Sequence, residues 1–133
     1  MKKLLIALSL AGLCGLAVAE TPQQILSGLQ AEAKQADPSF AGFSADRGKE
    51  FYNTKHGKEW ACASCHTTDP TKEGKHAATG RAIKPIAPSA NAERFTDPEK
   101  VARLYKRMCG EVLGRECTVQ EKGDFLTYLL SVK

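Results

Sequence analysis

Apolar residues recur at helical spacing in four stretches of the chain, two near the amino-terminal side and two near the carboxyl end. The first stretch predicts a helix over residues 22–35 that ends before Pro38. The second predicts a helix from an N-cap at Ser44 to about Tyr52, within which Gly48 offers a place for close approach of another helix. Helical periodicity therefore accounts for the first third of the folded chain.

The two later stretches carry clearer start signals. Asp97 and Pro98 are typical of an N-cap followed by a proline in the first helical turn, and Thr118 and Glu121 have the spacing of a capping box. The apolar stripe of the earlier helix consists of Val101, Leu104, Tyr105 and Met108. The buried face predicted for the last helix consists of Phe125, Leu126, Leu129 and Leu130. With no alternating strand pattern and no internal repeat, the sequence predicts a small all-α fold.

Residues 53–96 show little periodicity, and their glycines and prolines indicate loops. A loop region of this length inside a small domain usually has a function or is disordered. The predicted core is also thin for the length of chain, and small domains with thin cores usually depend on a cofactor or on covalent cross-links.

The amino terminus has the pattern of a secretory signal peptide. A basic start with Lys2 and Lys3 precedes an apolar run over residues 4–13, and a small-x-small site ends at Ala19. We therefore expect residues 1–19 to be removed after Ala19 and residues 20–133 to form one domain. A lipoprotein anchor on Cys14 is the alternative, but Leu13 precedes it where such sites prefer a small residue.

Composition narrows the function classes. The 133 residues carry a formal net charge of +4, which loss of Lys2 and Lys3 lowers by two, and basic and acidic residues are interspersed. This pattern excludes a nucleic-acid footprint, which needs basic residues gathered on one face. No second apolar stretch approaches membrane-spanning length, so the mature chain is not expected to span a membrane. An exported location, for which the bacterial periplasm is favoured, makes disulfides permissible.

Residues 62–66 read Cys-Ala-Ser-Cys-His, the attachment pattern of c-type haem. Two thiols three residues apart can add to both vinyl groups of one porphyrin, so Cys62 and Cys65 are predicted thioethers and His66 the proximal iron ligand. A thioredoxin-like pair would need a βαβ context. A zinc site that adds Cys109 and Cys117 would expose thiolates to an oxidising compartment. We therefore predict one covalent haem c.

The residue that faces the iron from the other side is less obvious. Met108 is the one methionine of the mature chain, but it belongs to the apolar stripe of a helix. His56 and His76 each lie among lysines, where surface histidines are common. The site is therefore open or filled by an unusual group from the loop at residues 84–95, where Ile83, Ile86 and Ala87 could line an apolar pocket.

Four segments of the chain carry a further signal: residues 84–91 (KPIAPSAN), 94–97 (RFTD), 114–117 (GREC) and 120–125 (QEKGDF), together with Cys109. In combination they resemble the sphaeroides haem protein (SHP) family of high-spin class I cytochromes c. The resemblance implies the class I cytochrome c fold, with about four helices around one haem. It also implies an asparagine as distal ligand, at the position of Asn91. The related cytochrome c double-prime has histidine there, so Asn91 indicates the asparagine branch.

The same resemblance implies a disulfide between Cys109 and Cys117, which is also the default for two cysteines of an exported protein. A carboxamide oxygen is a weak, hard donor that suits ferric better than ferrous iron, so reduction should loosen Asn91 and free a site for O₂ or NO. The alternative role of Asn91 is to cap or turn the loop.

We therefore expect a periplasmic high-spin monohaem cytochrome c that accepts and donates electrons and transiently binds a diatomic ligand when reduced. A plain electron carrier with a permanently filled sixth site is one alternative. A small O₂, peroxide or NO reductase is another, although no catalytic acid or base can be assigned. The resemblance implies a dihaem cytochrome c and a membrane cytochrome b as redox partners. Six lysines around the motif could attract an acidic partner to the haem edge: Lys49, Lys55, Lys58, Lys72, Lys75 and Lys84.

Overall fold

The computed structural model describes residues 19–133 as a helical domain with one minimal hairpin. The predicted signal peptide up to residue 18, including Cys14, lies outside the described residues. The helices are α1 (Pro22–Ala36), α2 (Ala45–Asn53), α3 (Ala63–His66), α4 (Pro98–Val112) and α5 (Val119–Ser131). Strands β1 (Gly74–Lys75) and β2 (Ala82–Ile83) pair antiparallel. The all-α prediction is confirmed, with the short α3 and the hairpin as additions.

The starts of the long helices follow the predicted capping chemistry. The Ser44 side chain accepts a hydrogen bond from the Arg47 N–H at 3.3 Å, and Asp97 accepts one from the Lys100 N–H at 3.0 Å. Thr118 and Glu121 form the expected reciprocal capping box. These side chains satisfy backbone N–H groups that have no partner within the first helical turn. Local sequence therefore determines where the helices begin.

Helices α2 and α5 cross at close range, and Gly48 makes this crossing possible. A Cβ atom at Gly48 would collide with the backbone carbonyl of Asp124 and with the Cβ atom of Tyr128. The predicted close approach at Gly48 is therefore confirmed, and α5 is its partner. Helix α1 also packs on α5.

The core lies where α2, α4 and α5 meet the loop before α4. Its fully buried large side chains are Tyr52, Ile86, Phe125, Leu126 and Leu129. Val101 and Tyr105 bring α4 into this core, and the Tyr105 hydroxyl donates to the Lys122 carbonyl at 2.9 Å. Within residues 19–133, no helix combines the length and apolar character needed to cross a membrane.

Cys109 on α4 and Cys117 just before α5 lie at disulfide-bonding distance, with their Cα atoms 5.6 Å apart. Both are buried. The pair spans the connection between the last two helices, as the sequence predicted.

Candidate functional site

A cavity of about 550 Å³ opens between the central loops and one face of α4. It brings together the attachment motif, the hairpin, the segment before α4 and several side chains of α4, among them Leu104 and Met108. Its lining residues include Cys62, Cys65, His66, His76, Arg81, Ile83, Asn91, Arg94, Leu104, Arg107, Met108 and Glu111. The predicted site residues of the motif and Asn91 are thus brought to one cavity by chain segments far apart in sequence.

The motif itself forms a single helical turn. The His66 N–H donates to the Cys62 carbonyl at 3.0 Å, and the Ser64 hydroxyl accepts from the Ala61 N–H at 3.0 Å. Residues three apart lie on one face of a helix, so Cys62 and Cys65 present their thiols to the same side. Neither cysteine is in a disulfide. The turn therefore supplies two neighbouring thiols next to a histidine.

Close backbone packing supports this turn from outside the cavity. Gly74 on β1 lies against the carbonyl of Cys65, and a Cβ atom at that position would collide with it. The Tyr52 hydroxyl lies 2.7 Å from the Thr67 carbonyl and 3.2 Å from the His66 carbonyl, close enough to donate to them. Two elements, α2 and β1, therefore hold the segment that carries His66.

The local electrostatics keep His66 and Cys62 uncharged. Burial lowers the pKa of His66 to about 4, and the guanidinium groups of Arg94 and Arg107 add to this shift. Burial also raises the pKa of the Cys62 thiol to about 12. At neutral pH the imidazole is therefore neutral, the form in which histidine binds a metal.

Asn91 is half-buried at the cavity and is held by the loop around it. Its Nδ2 donates to the Pro85 carbonyl at 3.2 Å, and its Oδ1 accepts from the Glu93 N–H at 3.3 Å. A carbonyl oxygen has two lone pairs, so Oδ1 keeps one acceptor position beyond this contact. The loop-turning role considered from the sequence is thus present, and it leaves a ligand role open.

The segments that carry His66 and Asn91 are joined by one backbone carbonyl. Pro70 O accepts from the Ile86 N–H at 3.1 Å and from the Ala87 N–H at 3.0 Å. Pro70 follows His66 by four residues, and Ala87 precedes Asn91 by four. The two sides of the cavity are therefore connected through the backbone.

The other candidate ligands differ in position. Met108 and His76 also line the cavity, whereas His56 packs on Phe51 with its Nε2 atom 2.8 Å from the Phe51 carbonyl. His76 accepts from the Thr79 N–H at its Nδ1 atom, at 3.3 Å. Its Nε2 atom lies 3.7 Å from the Glu111 carboxylate.

The prediction that Ile83, Ile86 and Ala87 line an apolar pocket is only partly correct. Ile83 lines the cavity, but Ile86 and Ala87 are completely buried in the protein interior. Their N–H groups turn toward Pro70, which draws this part of the loop into the core.

The arginines of the cavity were not identified from the sequence. Arg94 donates from Nε to the Pro85 carbonyl and from Nη2 to the Lys84 carbonyl, both at 2.9 Å. Burial lowers the pKa of Arg94, as does the charge of Arg107. Arg94 lies in a segment that matched the resemblance, but no local pattern showed that its side chain turns back to the loop.

The zinc alternative does not agree with this geometry. Cys109 and Cys117 pair with each other, so they cannot join Cys62 and Cys65 as thiolate ligands. In the part of the chain that the structure describes, no group of three or more histidine, cysteine or acidic side chains is placed to hold a metal ion. The thioredoxin alternative also lacks its βαβ unit, because the strands described are two residues long and antiparallel.

The donor set fits haem c. Two thiols one helical turn apart and a neutral imidazole share a cavity with apolar side chains that include Ile83, Leu104 and Met108. Polar and charged side chains complete the lining, and they include three arginines, Lys84 and two glutamates. The apolar side chains suit a macrocycle, and the arginines suit its carboxylate substituents. A small helical domain with this site is a cytochrome of the c type.

Comparison with known proteins identifies the family within the c-type cytochromes. Residues 38–129 match a family described as "Domain of unknown function (DUF1924)". Cytochrome c'' of Methylophilus methylotrophus is 44% identical over 103 residues, covering 74% of this chain and 72% of that protein. The cytochrome c-type protein SHP of Cereibacter sphaeroides is 38% identical over 113 residues, covering 82% of each. The chain therefore belongs to the family that contains cytochrome c'' and SHP.

Solved structures of the same two proteins have the same fold. Oxidized cytochrome c'' from Methylophilus methylotrophus superposes with a TM-score of 0.76 at 39% identity, covering 84% of this chain and 94% of that one. Oxidized SHP, described as an oxygen-binding cytochrome c, superposes with a TM-score of 0.72 at 35% identity, covering 84% and 96%. The predicted resemblance is confirmed.

Proposed function

We propose that the protein is a periplasmic, high-spin cytochrome c with one covalent haem, which exchanges electrons and transiently binds O₂ or NO after reduction releases Asn91. The observation that carries this proposal is the presence of Asn91 in the same cavity as His66 and the two thiols of the motif. The description of SHP as an oxygen-binding cytochrome c supports the ligand-binding part.

Cys62 and Cys65 are the residues that would hold the haem, and His66 would be its proximal ligand. Burial keeps the imidazole of His66 neutral, and the hydroxyl of Tyr52 holds the backbone that carries it. When bound, haem supplies a one-electron couple and a sixth coordination position. The chain's own contribution is to present one nitrogen ligand at a fixed place.

Asn91 would be the distal ligand through its Oδ1 atom. The hydrogen bond from its Nδ2 to the Pro85 carbonyl fixes the plane of the carboxamide. A neutral amide oxygen is a weaker ligand than imidazole or thioether and prefers the harder ferric ion. Asn91 is therefore suited to occupy the site in the oxidised protein and to leave it on reduction. Once displaced, its amide can donate or accept a hydrogen bond.

A plain electron carrier is the second candidate, and the position of Met108 favours it. Met108 lines the same cavity, and a thioether ligand would fill the sixth position in both oxidation states. On α4, Met108 is half-buried and lies with Leu104 on the side that faces the cavity.

Substitution of the two candidates separates these functions. Asn91→Ala should leave haem attached but change the ferric optical spectrum, because the oxygen ligand is lost. Met108→Leu keeps the size and apolar character of the side chain and is the matched control, so its ferric spectrum should equal that of the wild type. An unchanged Asn91→Ala spectrum would remove Asn91 from the iron, and a changed Met108→Leu spectrum would favour the electron carrier.

Ligand binding by the ferrous protein gives a direct second test. Reduced wild type should show a high-spin spectrum that shifts promptly on addition of NO or O₂. An unreactive low-spin ferrous spectrum would exclude this function.

The proposed redox partners follow from the family resemblance and from the charge of the surface. A dihaem cytochrome c and a membrane cytochrome b are the proposed donors. The lysines named above, such as Lys75 beside the cavity-lining His76, are exposed and give the surrounding surface a positive character. Electron transfer from an acidic partner should therefore slow as ionic strength rises. A rate independent of salt would contradict steering by these lysines.

A further inference from the structure

Thr67, the residue that follows His66, has a backbone conformation that is rare for its type. Its φ of 62° and ψ of 170° lie in a region that is occupied almost only by glycine. Among residues 19–133, three non-glycine residues have positive φ, and Thr67 is the β-branched one. A β-branched residue persists in such a conformation only where its surroundings hold it. Thr67 is therefore a strained position directly beside His66.

The hydroxyl of Tyr52 holds this position from the core. It lies 2.7 Å from the Thr67 carbonyl, to which it donates, and 3.2 Å from the His66 carbonyl. The Tyr52 side chain is completely buried, and its ring packs against those of Phe125 and Tyr128, so the hydroxyl has little freedom to move. Burial also raises the pKa of Tyr52, so the hydroxyl keeps its proton and remains a donor.

The conformation of Thr67 also determines how the attachment turn ends. His66 is the last residue of α3 and Thr67 is its C-cap, so the positive φ turns the chain away from the helix immediately after His66. The Thr67 hydroxyl donates to the Asp69 carbonyl at 2.7 Å and accepts from the Asp69 N–H at 3.1 Å, which ties the next two residues to the same turn. A change of conformation at Thr67 would therefore rotate the end of α3, to which the His66 side chain is attached.

We propose that Tyr52 is a positioning residue for the proximal histidine: its hydroxyl holds Thr67 in the glycine-like conformation and thereby fixes the direction of the His66 imidazole. This inference rests on the proposed role of His66 as the proximal ligand, and it is independent of the residue that occupies the sixth position. Tyr52 does not line the cavity, so it acts through the backbone. Removal of the groups that orient a metal ligand typically changes the affinity or activity of the site by about 10- to 100-fold.

Tyr105 provides a matched control from the same core. It is also buried, its ring also packs against Phe125, and its hydroxyl also donates to a backbone carbonyl, that of Lys122 on α5, at 2.9 Å. Tyr52→Phe and Tyr105→Phe each keep the aromatic ring and remove one buried hydroxyl, so both should lower the urea midpoint by comparable amounts. Only Tyr52→Phe releases the backbone beside His66.

The test is proton NMR of the ferric holoprotein with cyanide bound at the sixth position. In this low-spin state the shifts of the haem methyl resonances depend on the orientation of the proximal imidazole plane, whichever residue the cyanide displaces. Tyr52→Phe should change the spacing of these resonances, and Tyr105→Phe should reproduce the wild-type spectrum. A wild-type spectrum for Tyr52→Phe, or the same change in both variants, would overturn the positioning role.

Thr67→Gly identifies the route of the effect. Glycine adopts a positive φ without steric cost, so this variant should keep the wild-type methyl shifts. In the Thr67→Gly background the Tyr52 hydroxyl no longer has to oppose strain, so Tyr52→Phe should change the methyl shifts less than it does in the wild type. An undiminished change in this background would overturn the proposed action through Thr67.

A separate variant tests the proximal role of His66. The chain has three histidines, and His56→Gln/His76→Gln leaves only His66. The shifted ring-proton resonances of a bound imidazole should persist in this double variant. Their loss would mean that His66 is not the proximal ligand, and the proposed function would fail with it. Their presence, together with unchanged methyl shifts in Tyr52→Phe, would overturn the positioning role alone.

Discussion

Asp124 on α5 binds the guanidinium of Arg47 on α2 through both carboxylate oxygens, at 2.8 and 2.9 Å. Asp124 is only 4% exposed, and its Oδ1 atom also accepts from the Ser44 N–H and from the Gln120 amide. The carboxylate thus joins the start of α2 to α5 beside the point where Gly48 lets the helices cross.

Replacement of Asp124 should weaken this connection between α2 and α5 without changing the haem site. Asp124→Asn keeps the size of the side chain but removes the charge, so we expect a loss of about 2 kcal/mol in the free energy of unfolding. Urea denaturation of the holoprotein measures this loss. The ferric spectrum serves as the internal control, because Asp124 does not line the cavity. An unchanged urea midpoint would show that the carboxylate contributes no net stability.

The crossing of α2 and α5 should not tolerate a methyl group at Gly48. The Cβ atom of Gly48→Ala would collide with the Asp124 backbone, so the helices must separate, and we expect a loss of about 2 kcal/mol or more. Gly28→Ala is the matched control, because Gly28 is also helical and has nothing within 4 Å of the added atom. That change should stabilise the protein by about 0.5–1 kcal/mol through helix propensity. Equal effects in thermal unfolding would contradict the close crossing.

The Cys109–Cys117 pair should contribute about 2.5 kcal/mol if it forms the disulfide, since it closes a short loop. Unfolding of wild type with and without a reductant, compared with Cys109→Ser/Cys117→Ser, measures this contribution. In the double variant, the reductant should no longer change the free energy of unfolding.

The disulfide also anchors the carboxyl end of α4, which lines the cavity, so ligand-binding rates should change when the disulfide is reduced. Identical rates with haem intact would limit the disulfide to a stabilising role.

The capping carboxylate of α5 should give the protein a defined pH dependence. Glu121 accepts from Arg115 at 2.7 and 2.8 Å and from the Thr118 N–H at 2.8 Å, and Arg115 is the main cause that holds the pKa of Glu121 below its ordinary value of 4.5. Because this pKa is lower in the folded protein, the ionised carboxylate of Glu121 contributes its full stabilisation above pH 4.5. The contribution is lost as the pH falls through the pKa of Glu121 in the folded protein.

Glu121→Gln should therefore cost about 1 kcal/mol at neutral pH. The difference from wild type should shrink under acid conditions, where Glu121 is protonated and resembles glutamine. Unfolding free energies at pH 7 and pH 3 provide the comparison. A difference of the same size at both values would mean that the charge of Glu121 is not the source of the stability.

The sequence was sufficient for the long helices because their signals are local. Thr118 and Glu121 are three residues apart and cap the same helix. The single apolar stripe predicted for α4 is only partly correct, because the structure divides it between the core and the cavity. Val101 and Tyr105 enter the core, while Leu104 and Met108 face the cavity. The motif that predicts haem is likewise contained within five residues.

Contacts between distant residues could not be predicted in this way. Asp124 and Arg47 are 77 residues apart, and no periodicity relates them. Arg94 lies nine residues from Pro85, but its hydrogen bond depends on a turn that only the folded loop defines. The burial of Ile86 and Ala87 follows from the bonds to Pro70, which the sequence pattern did not show. The supporting residues of the site therefore became visible only in the structure.

The double acceptor at Pro70 has a consequence for the speed of electron exchange. The backbone of the Asn91 segment cannot withdraw from the His66 segment without breaking two hydrogen bonds at that carbonyl. A change of distal ligand is therefore expected to proceed by rotation of one side chain rather than by opening of a loop. If the iron exchanges its distal ligand as proposed, such a change would move few atoms, and a redox change that moves few atoms has a low reorganisation energy.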